Sequence, residues 1–567
     1  MAPEGKKTTN KTTKKTPARK AAAKAVKGKS VTKTAAKNST KKAAEKKGTK
    51  KTSAKNTAIS RAETQIDCIN PATGKNIGAV PVFSRDAIQS AVATARSAYV
   101  DWSALHFEER AELLLRARDR VLDRQEELLD LLIEETGKVR TDTVGELLAF
   151  CDTVGYYAKH GQRFIADEKI ALHLLKNKRM KSVFSPRGLI LNIAPWNFPL
   201  DLAINPTVPA LLAGNVAIIK PSELTPKIAL RAVEIMREGG LPKGVLQVVT
   251  GYGQTGADLI DHADFVTFTG SVETGRKVAV ACAERLLPYT LELGGKDPFI
   301  VLEDADLGRA SKGACWGAFV NSGQVCMSVE RVYVVDSCYD EFVGRVVDVT
   351  NTLRQGGDGG YDQDIGSMTD PRQIATVEAH IADAVAKGAK VLTGGARNAA
   401  LGGHYFSPTV LVDVDESMDI LTDETFGPIL PIRRVADADE AVALANNSRY
   451  GLNASIWTQN KDLGQVLARK LESGAVCIND CLISYEAIEA PYGGIKESGI
   501  GRRKGPGEIR KYCNQKTIME DLFGLAREPI WFPYSKSTAG KMAAGLKVLY
   551  RRGVGQKLRA VRGLFGT

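Results

Sequence analysis

The chain has 567 residues, with 78 Lys+Arg against 65 Asp+Glu for a formal balance of +13, and 43% of its residues are hydrophobic. Residues 1–60 hold 19 of the bases and only two acids (Glu4 and Glu45), a local charge of +17, so the remaining 59 bases and 63 acids give the body −4. The basic balance therefore describes a tail and not a nucleic-acid-binding domain, while a body of about 500 residues is long enough for two or three domains.

In chain order, residues 1–60 are Lys, Ala and Thr with almost no large apolar side chains. Such a segment cannot offset its ordering entropy, so disorder is expected. Its charge suits polyanion or nucleic-acid binding by counterion release, and it equally suits a solvated tail with no partner. From about Ile66 the texture changes. Asp86–Ser103 and Phe107–Gly137 read as amphipathic helices, the second stopping at Gly137. Short apolar runs then alternate with helix-like pieces: Gly188–Ile193, Asn215–Ile219, a helix over Ile228–Glu238, Leu246–Thr250, and Phe265–Thr269 followed by a helix from about Thr274. A second series comprises Pro298–Val301, Arg331–Val335, Gly388–Gly394, Thr409–Val412 and Ile429–Val435. Buried strands alternating with helices predict an α/β fold with parallel sheets. The end of the chain differs again: Lys541–Thr567 has seven bases, no acid and interleaved Leu, Val and Phe. It reads as a basic amphipathic helix that suits either an anionic membrane surface or a neighbouring subunit.

The nine cysteines show no CxxC pair and the six histidines no metal-binding spacing. A reducing, cytoplasmic location and no metal are expected. No run of 18 uncharged apolar residues and no signal-like apolar segment near the N-terminus occurs, which argues against a membrane span and against secretion.

Four segments carry chemistry. Asn321-Ser-Gly-Gln-Val-Cys326 offers a nucleophile, although a cysteine alone is more often a small buried hydrophobe. Pro195-Trp196-Asn197-Phe-Pro is a rigid turn presenting an amide. Glu292-Leu-Gly-Gly-Lys296 places a carboxylate before a glycine turn, 34 residues ahead of the cysteine. Phe268-Thr-Gly270-Ser271-Val-Glu-Thr-Gly275 joins a strand to a helix N-terminus, a ready phosphate site, though Gly-x₄-Gly is looser than the usual dinucleotide fingerprint.

Together with Lys220-Pro-Ser-Glu223, Glu424-Thr-Phe426-Gly-Pro and Pro491-Tyr-Gly-Gly-Ile-Lys-Glu-Ser-Gly-Ile-Gly501, these segments closely resemble the aldehyde dehydrogenase superfamily, in order from about Ile66 to Ile518. The resemblance implies a Rossmann-like cofactor domain (61–168 and 187–293), a catalytic α/β domain (294–506), a small β oligomerisation element (169–186 and 507–520) and a C-terminal extension (521–567). It implies oxidation of a small-molecule aldehyde to the acid with NAD, or NADP, in a homodimer or homotetramer. Cys326 would be the nucleophile, Glu292 the general base and Asn197 an oxyanion donor. Gly270, Ser271 and Gly275 would meet the pyrophosphate, Lys220 and Glu223 the adenosine ribose, and Glu424, Phe426 and Trp196 the nicotinamide side. Many members carry a proton-relay lysine and glutamate where this chain has Pro206 and Arg503. Asn205-Pro-Thr-Val-Pro and Gly501-Arg-Arg-Lys-Gly look closest to the fatty-aldehyde and bacterial semialdehyde branches, so succinic semialdehyde is one specific substrate to test. The alternative of another class is an interaction protein acting through residues 1–60.

Overall fold

The structure, a computed structural model, describes residues 64–357, 359–528 and 530–565. The basic tail, residues 1–60, and its polyanion reading lie outside them. The described chain is built on two large sheets with helices on their faces.

The first is six-stranded, in the order Gly499–Ile500, Tyr289–Glu292, Phe265–Thr269, Leu189–Ile193, Val216–Lys220, Leu246–Val248. All its pairings are parallel except Gly499–Ile500, which runs antiparallel to Tyr289–Glu292. Leu189–Leu191 and Val216–Ile219 are all at most 2% exposed, as expected of strands covered on both faces. The second sheet is seven-stranded: Lys390–Thr393, Thr409–Val412, Ile429–Val435, Val329–Val335, Asp297–Val301, Ser455–Trp457, Cys477–Ile478. Its own core gathers Phe299, Tyr333, Phe342 and Trp457. Smaller sheets are the antiparallel hairpin Gln65–Ile69 with Asn76–Pro81, and Cys513–Asp521 paired with Lys178–Pro186 and Glu168–Ile170.

Several expectations need correction. Phe107–Gly137 is two helices, Phe107–Asp123 and Gln125–Thr136, broken at Arg124. Both helices pack on Arg140–Phe164 and Pro226–Glu238, and the Arg124 and Arg120 guanidinium groups at the break both reach Glu238. The second half ends at Gly137, left-handed at φ 76°, a conformation that favours glycine. The second sheet is not wholly parallel, because Lys390–Thr393 runs antiparallel to Thr409–Val412. Gly499–Ile500, placed by sequence with the catalytic segment, closes the edge of the first sheet. Gly505–Lys511 is a helix, and the strand after it begins at Cys513. The C-terminal segment forms two helices, Lys536–Tyr550 and Val554–Phe565, separated at Arg551-Arg552-Gly553 and packed on each other.

Candidate active site

The carboxyl ends of parallel strands are where open α/β sheets bind ligands. Three ends of the first sheet supply the motifs: Ile193 leads into Pro195-Trp196-Asn197, Thr269 into Gly270-Ser271, and Glu292 is itself a strand end. From the second sheet come two loops that precede strands, Asn321–Cys326 before Val329 and Glu424–Phe426 before Ile429. These five pieces line one cavity of about 320 Å³. Trp196, Asn197, Gly270, Ser271, Glu292, Cys326, Glu424 and Phe426 all contribute to its wall.

Asn197 is 3% exposed. Its Nδ2 donates to the Gln324 carbonyl at 2.9 Å, and its own carbonyl accepts from Asn321 Nδ2 at 3.0 Å. The loop before the cysteine is unusual backbone: Asn321, Ser322 and Gly323 all have positive φ (52°, 56° and 73°). A Cβ on Gly323 would lie 2.1 Å from the Gly427 carbonyl oxygen. Gln324 locks the loop from inside, donating through Nε2 to the Asn321 carbonyl at 2.9 Å and accepting at Oε1 from the Thr369 N–H at 2.8 Å. The first five residues of the cysteine motif are therefore scaffold, a role the sequence did not reveal.

Cys326 is half-buried at the cavity wall. Burial pushes its thiol up, and the carboxylates of Asp297, Glu424 and Glu292 push it further. Glu292 is 5% exposed, with Oε1 lacking a hydrogen-bond partner. Burial pushes its carboxyl up to about 8, against the opposing pull of Arg503 and Lys511. Glu424 is likewise pushed up to about 8, by burial and by nearby Glu330, while its Oε1 accepts from the Gly295 N–H at 3.1 Å. A Cβ on Gly294 would stand 2.2 Å from a Glu424 oxygen, so a side chain there would displace the Glu424 carboxylate.

Two further residues shape the site. Lys296 and Glu330 form a buried ion pair, Nζ to Oε2 2.5 Å. Glu330 also accepts the backbone N–H groups of Thr425 and Phe426 at 2.8 and 2.9 Å, fixing the loop that presents Glu424 and Phe426. Phe426 meets Trp196 edge to face, ring centroids 5.4 Å apart. Lys296 was visible in the Glu292 motif, but Glu330 carried no sequence signal.

Three expected residues stand outside the cavity wall. Lys220 is buried at the end of the neighbouring strand, with Nζ 3.6 Å from Glu223. Gly275 lies inside the helix Val272–Glu284, where a Cβ would come 2.5 Å from Leu293, so its role here is close packing. Pro206 is buried at the start of the helix Thr207–Leu212. Arg503 is 4% exposed, and its Nε has no partner.

The family profile of the aldehyde dehydrogenase family matches residues 58–518. The chain is 39% identical over 491 residues to the 4,4'-diapolycopene aldehyde oxidase of Methylomonas sp, covering 86% of this chain and 92% of that protein. It is 38% identical over 448 residues to a Mycobacterium tuberculosis H37Rv protein provisionally named an NADP(+) succinate-semialdehyde dehydrogenase, covering 79% and 86%. Among solved structures, a betaine aldehyde dehydrogenase from Staphylococcus aureus in complex with NAD+ superposes with TM-score 0.78 at 31% identity, over 83% of this chain and 97% of that one. The chain belongs to the aldehyde dehydrogenase family, and it is an enzyme with that family's fold.

Proposed function

We propose that this enzyme oxidises an aldehyde to the carboxylic acid through a thioester on Cys326, with a nicotinamide dinucleotide as electron acceptor. The observation that carries the reading is the single cavity in which Cys326, Glu292 and Asn197 meet the Gly270–Ser271 helix start.

The residues fit such a cofactor. Ser271 caps the 13-residue helix Val272–Glu284, whose first-turn N–H groups suit a pyrophosphate. Thr269 Oγ1 is buried without a partner beside it, and Gly270 packs against the Phe268 ring, which a Cβ would approach to 2.7 Å. Gly270 and Ser271 would hold the phosphates, and Glu424, with Phe426 and Trp196, the nicotinamide end. Lys220 and Glu223 would hold the adenosine ribose, where a carboxylate accepts from a 2′-hydroxyl and repels a 2′-phosphate, favouring NAD over NADP. When bound, the nicotinamide supplies the two-electron acceptor.

The chain's own groups do the rest. The raised thiol of Cys326 makes the resting nucleophile a thiol, so a base must take its proton. Glu292 is that base, a carboxyl tuned close to neutral with a free oxygen. The sulfur adds to the aldehyde carbon. One Asn197 amide hydrogen is committed to Gln324, which leaves the other for the developing oxyanion, an interaction worth roughly 10²–10³ in rate. Loss of hydride from the former aldehyde carbon, its C–H hydrogen leaving with the bonding pair, gives the thioester. Once Glu292 has released the thiol proton to solvent, it deprotonates the water that hydrolyses the thioester and returns that proton to the departing thiolate, releasing the acid and regenerating the thiol. Pro206 and Arg503 exclude the relay used by many relatives, so protons leave Glu292 by another route.

Assembly and surface partners follow from exposed elements. The edge strand Cys513–Asp521 is exposed along nearly its whole length, with Ile518 and Met519 facing out. A long unpaired edge of this kind suits pairing with a second copy, in a homodimer or homotetramer. The paired C-terminal helices suit a lipid surface. Polyanion binding by residues 1–60 rests on charge alone, and its deletion should abolish any salt-sensitive DNA retardation.

The decisive experiment is NADH formation by Cys326→Ala. A loss of ~10³-fold or more is expected for a missing nucleophile, and an unchanged rate overturns the reading.

A further inference from the structure

A second cavity, of about 250 Å³, opens from the other side of Cys326. Its wall combines Phe198, Leu202, Trp316, Val320, Leu482 and Ile483 with four acids, Asp142, Glu146, Asp201 and Glu486. No Lys, Arg or His lines it. We infer that this cavity is the aldehyde channel, and that it selects neutral apolar aldehydes and rejects those with a distal carboxylate. The inference rests on the cysteine-thioester reading and names that site's substrate class.

The charge balance decides the class. A distal carboxylate in this channel would meet carboxyl groups and no cation, and an unpaired charge in a largely desolvated space is costly. The nearest cations stand behind the wall and face its own groups, the buried Arg503 acting on Tyr485 and Asp201. Lys138 is buried behind the wall, 2.5 Å from Glu146 Oε1, and Lys504 sits against the Tyr485 ring, 3.6 Å from its centroid. Three of the four acids are committed too. Glu146 also accepts from the Leu200 N–H at 2.9 Å, Asp142 from the Asn321 N–H at 3.1 Å, and Asp201 from the Tyr485 hydroxyl at 2.8 Å. Burial pushes Asp142 up to about 6. Apart from Glu486, what remains for a substrate is mainly aliphatic and aromatic surface.

Size and mouth agree with an alkyl chain. At ~30 Å³ per water-sized group, the cavity holds about eight such groups. Trp316 and Ile483, 49% and 48% exposed, mark an apolar lip.

The test is a kcat/KM panel of linear alkanals against succinic semialdehyde. Efficiency should rise about fourfold per methylene, the value of burying one CH₂, until the channel is full. Succinic semialdehyde should fall roughly 10²-fold or more below octanal. Ile483→Arg, at an exposed lip position that tolerates substitution, should narrow that gap by supplying a cation. A second measurement needs no turnover: n-decanamide should slow iodoacetamide alkylation of Cys326 in the full-length protein, and succinamate should not. Succinic semialdehyde matching or exceeding octanal overturns the channel assignment while leaving the thioester reading intact. If no aldehyde is oxidised, the thioester reading fails and selective protection by decanamide alone supports the channel. Equal protection by both amides overturns it.

Discussion

Asn197 Nδ2 and the Gln324 carbonyl are joined by a 2.9 Å hydrogen bond, which ties the turn after a strand of the first sheet to the loop that carries Cys326 in the second. The amide and the sulfur are thus held in one piece, although 129 positions separate Asn197 from Cys326 in sequence. Such preorganisation lets a donor act on developing charge without reorganising. Asn197→Ala should lower kcat by ~10²–10³, with KM for the cofactor little changed. Steady-state kinetics beside an unchanged circular dichroism spectrum checks it, and a kcat within about threefold of wild type would remove Asn197 from the mechanism.

If Glu292 is the general base, as proposed, it should set the acid limb of the pH profile. Its carboxyl is pushed up to about 8 by burial, and it must be ionised to act as base. Activity should therefore fall as pH drops below about 8. Among the charged groups around it, Arg503, Lys511 and Arg502 favour the ionised form, and Glu508 opposes it. Arg503→Met removes the largest of the favourable influences, so the limb should move to higher pH, and Arg503→Lys should largely restore it. Glu292→Gln should abolish the limb together with most of the activity, and no acyl-enzyme should accumulate by mass spectrometry, because the same base activates the thiol. A profile that Arg503→Met leaves in place would mean that Arg503 acts only on packing.

What the sequence disclosed and what it hid have a common physical cause. Asn197, Gly270 and Glu292 were readable because strand ends and glycine turns are local signals that need no tertiary context. Cys326 and Glu424 were readable by resemblance. Glu330 was not, because a glutamate inside the apolar strand Val329–Val335 shows its value only when Lys296 and the Thr425 and Phe426 amides close around it. The helix Arg140–Phe164 gave no clean apolar stripe because its buried face includes Thr143, Glu146 and Thr153. The break at Arg124 has neither Gly nor Pro to announce it. The apolar channel draws on segments from Thr141 to Glu486, so no window of sequence could outline it.

The Lys296–Glu330 pair should govern stability more than its role in fixing Glu424 suggests. Both side chains are nearly inaccessible, at 1% and 3% exposure. Removing one charge leaves the other buried and uncompensated, at a cost of about 3–5 kcal/mol. Glu330→Gln should therefore lower the melting midpoint markedly and also weaken cofactor binding by freeing Thr425 and Phe426. The double variant Lys296→Met/Glu330→Leu should regain part of the stability without regaining cofactor affinity. Equal recovery of both would show that the pair does not position the Glu424 loop.

The C-terminal helices make the remaining prediction. In Lys536–Tyr550, Met542, Leu546, Leu549 and Tyr550 recur at helical spacing on one exposed stripe, with Lys536, Lys541 and Lys547 off that stripe. Val554 and Leu558 begin a similar stripe in the next helix, beside Lys557 and Arg559. Just upstream, Trp531, Phe532 and Tyr534 are all more than half exposed. No acid occurs after Glu528. Apolar stripes flanked by bases, with aromatic residues at the entry, match the energetics of an anionic interface, where each base near the surface contributes ~1 kcal/mol. The full-length enzyme should float with vesicles of phosphatidylglycerol and phosphatidylcholine, less so as salt rises and not with phosphatidylcholine alone. Removal of residues 536–567 should abolish flotation while leaving oxidation of a short, water-soluble aldehyde unchanged. If the truncated protein instead changes its oligomeric mass and the intact one ignores anionic vesicles, these helices belong to a subunit contact and the membrane assignment fails.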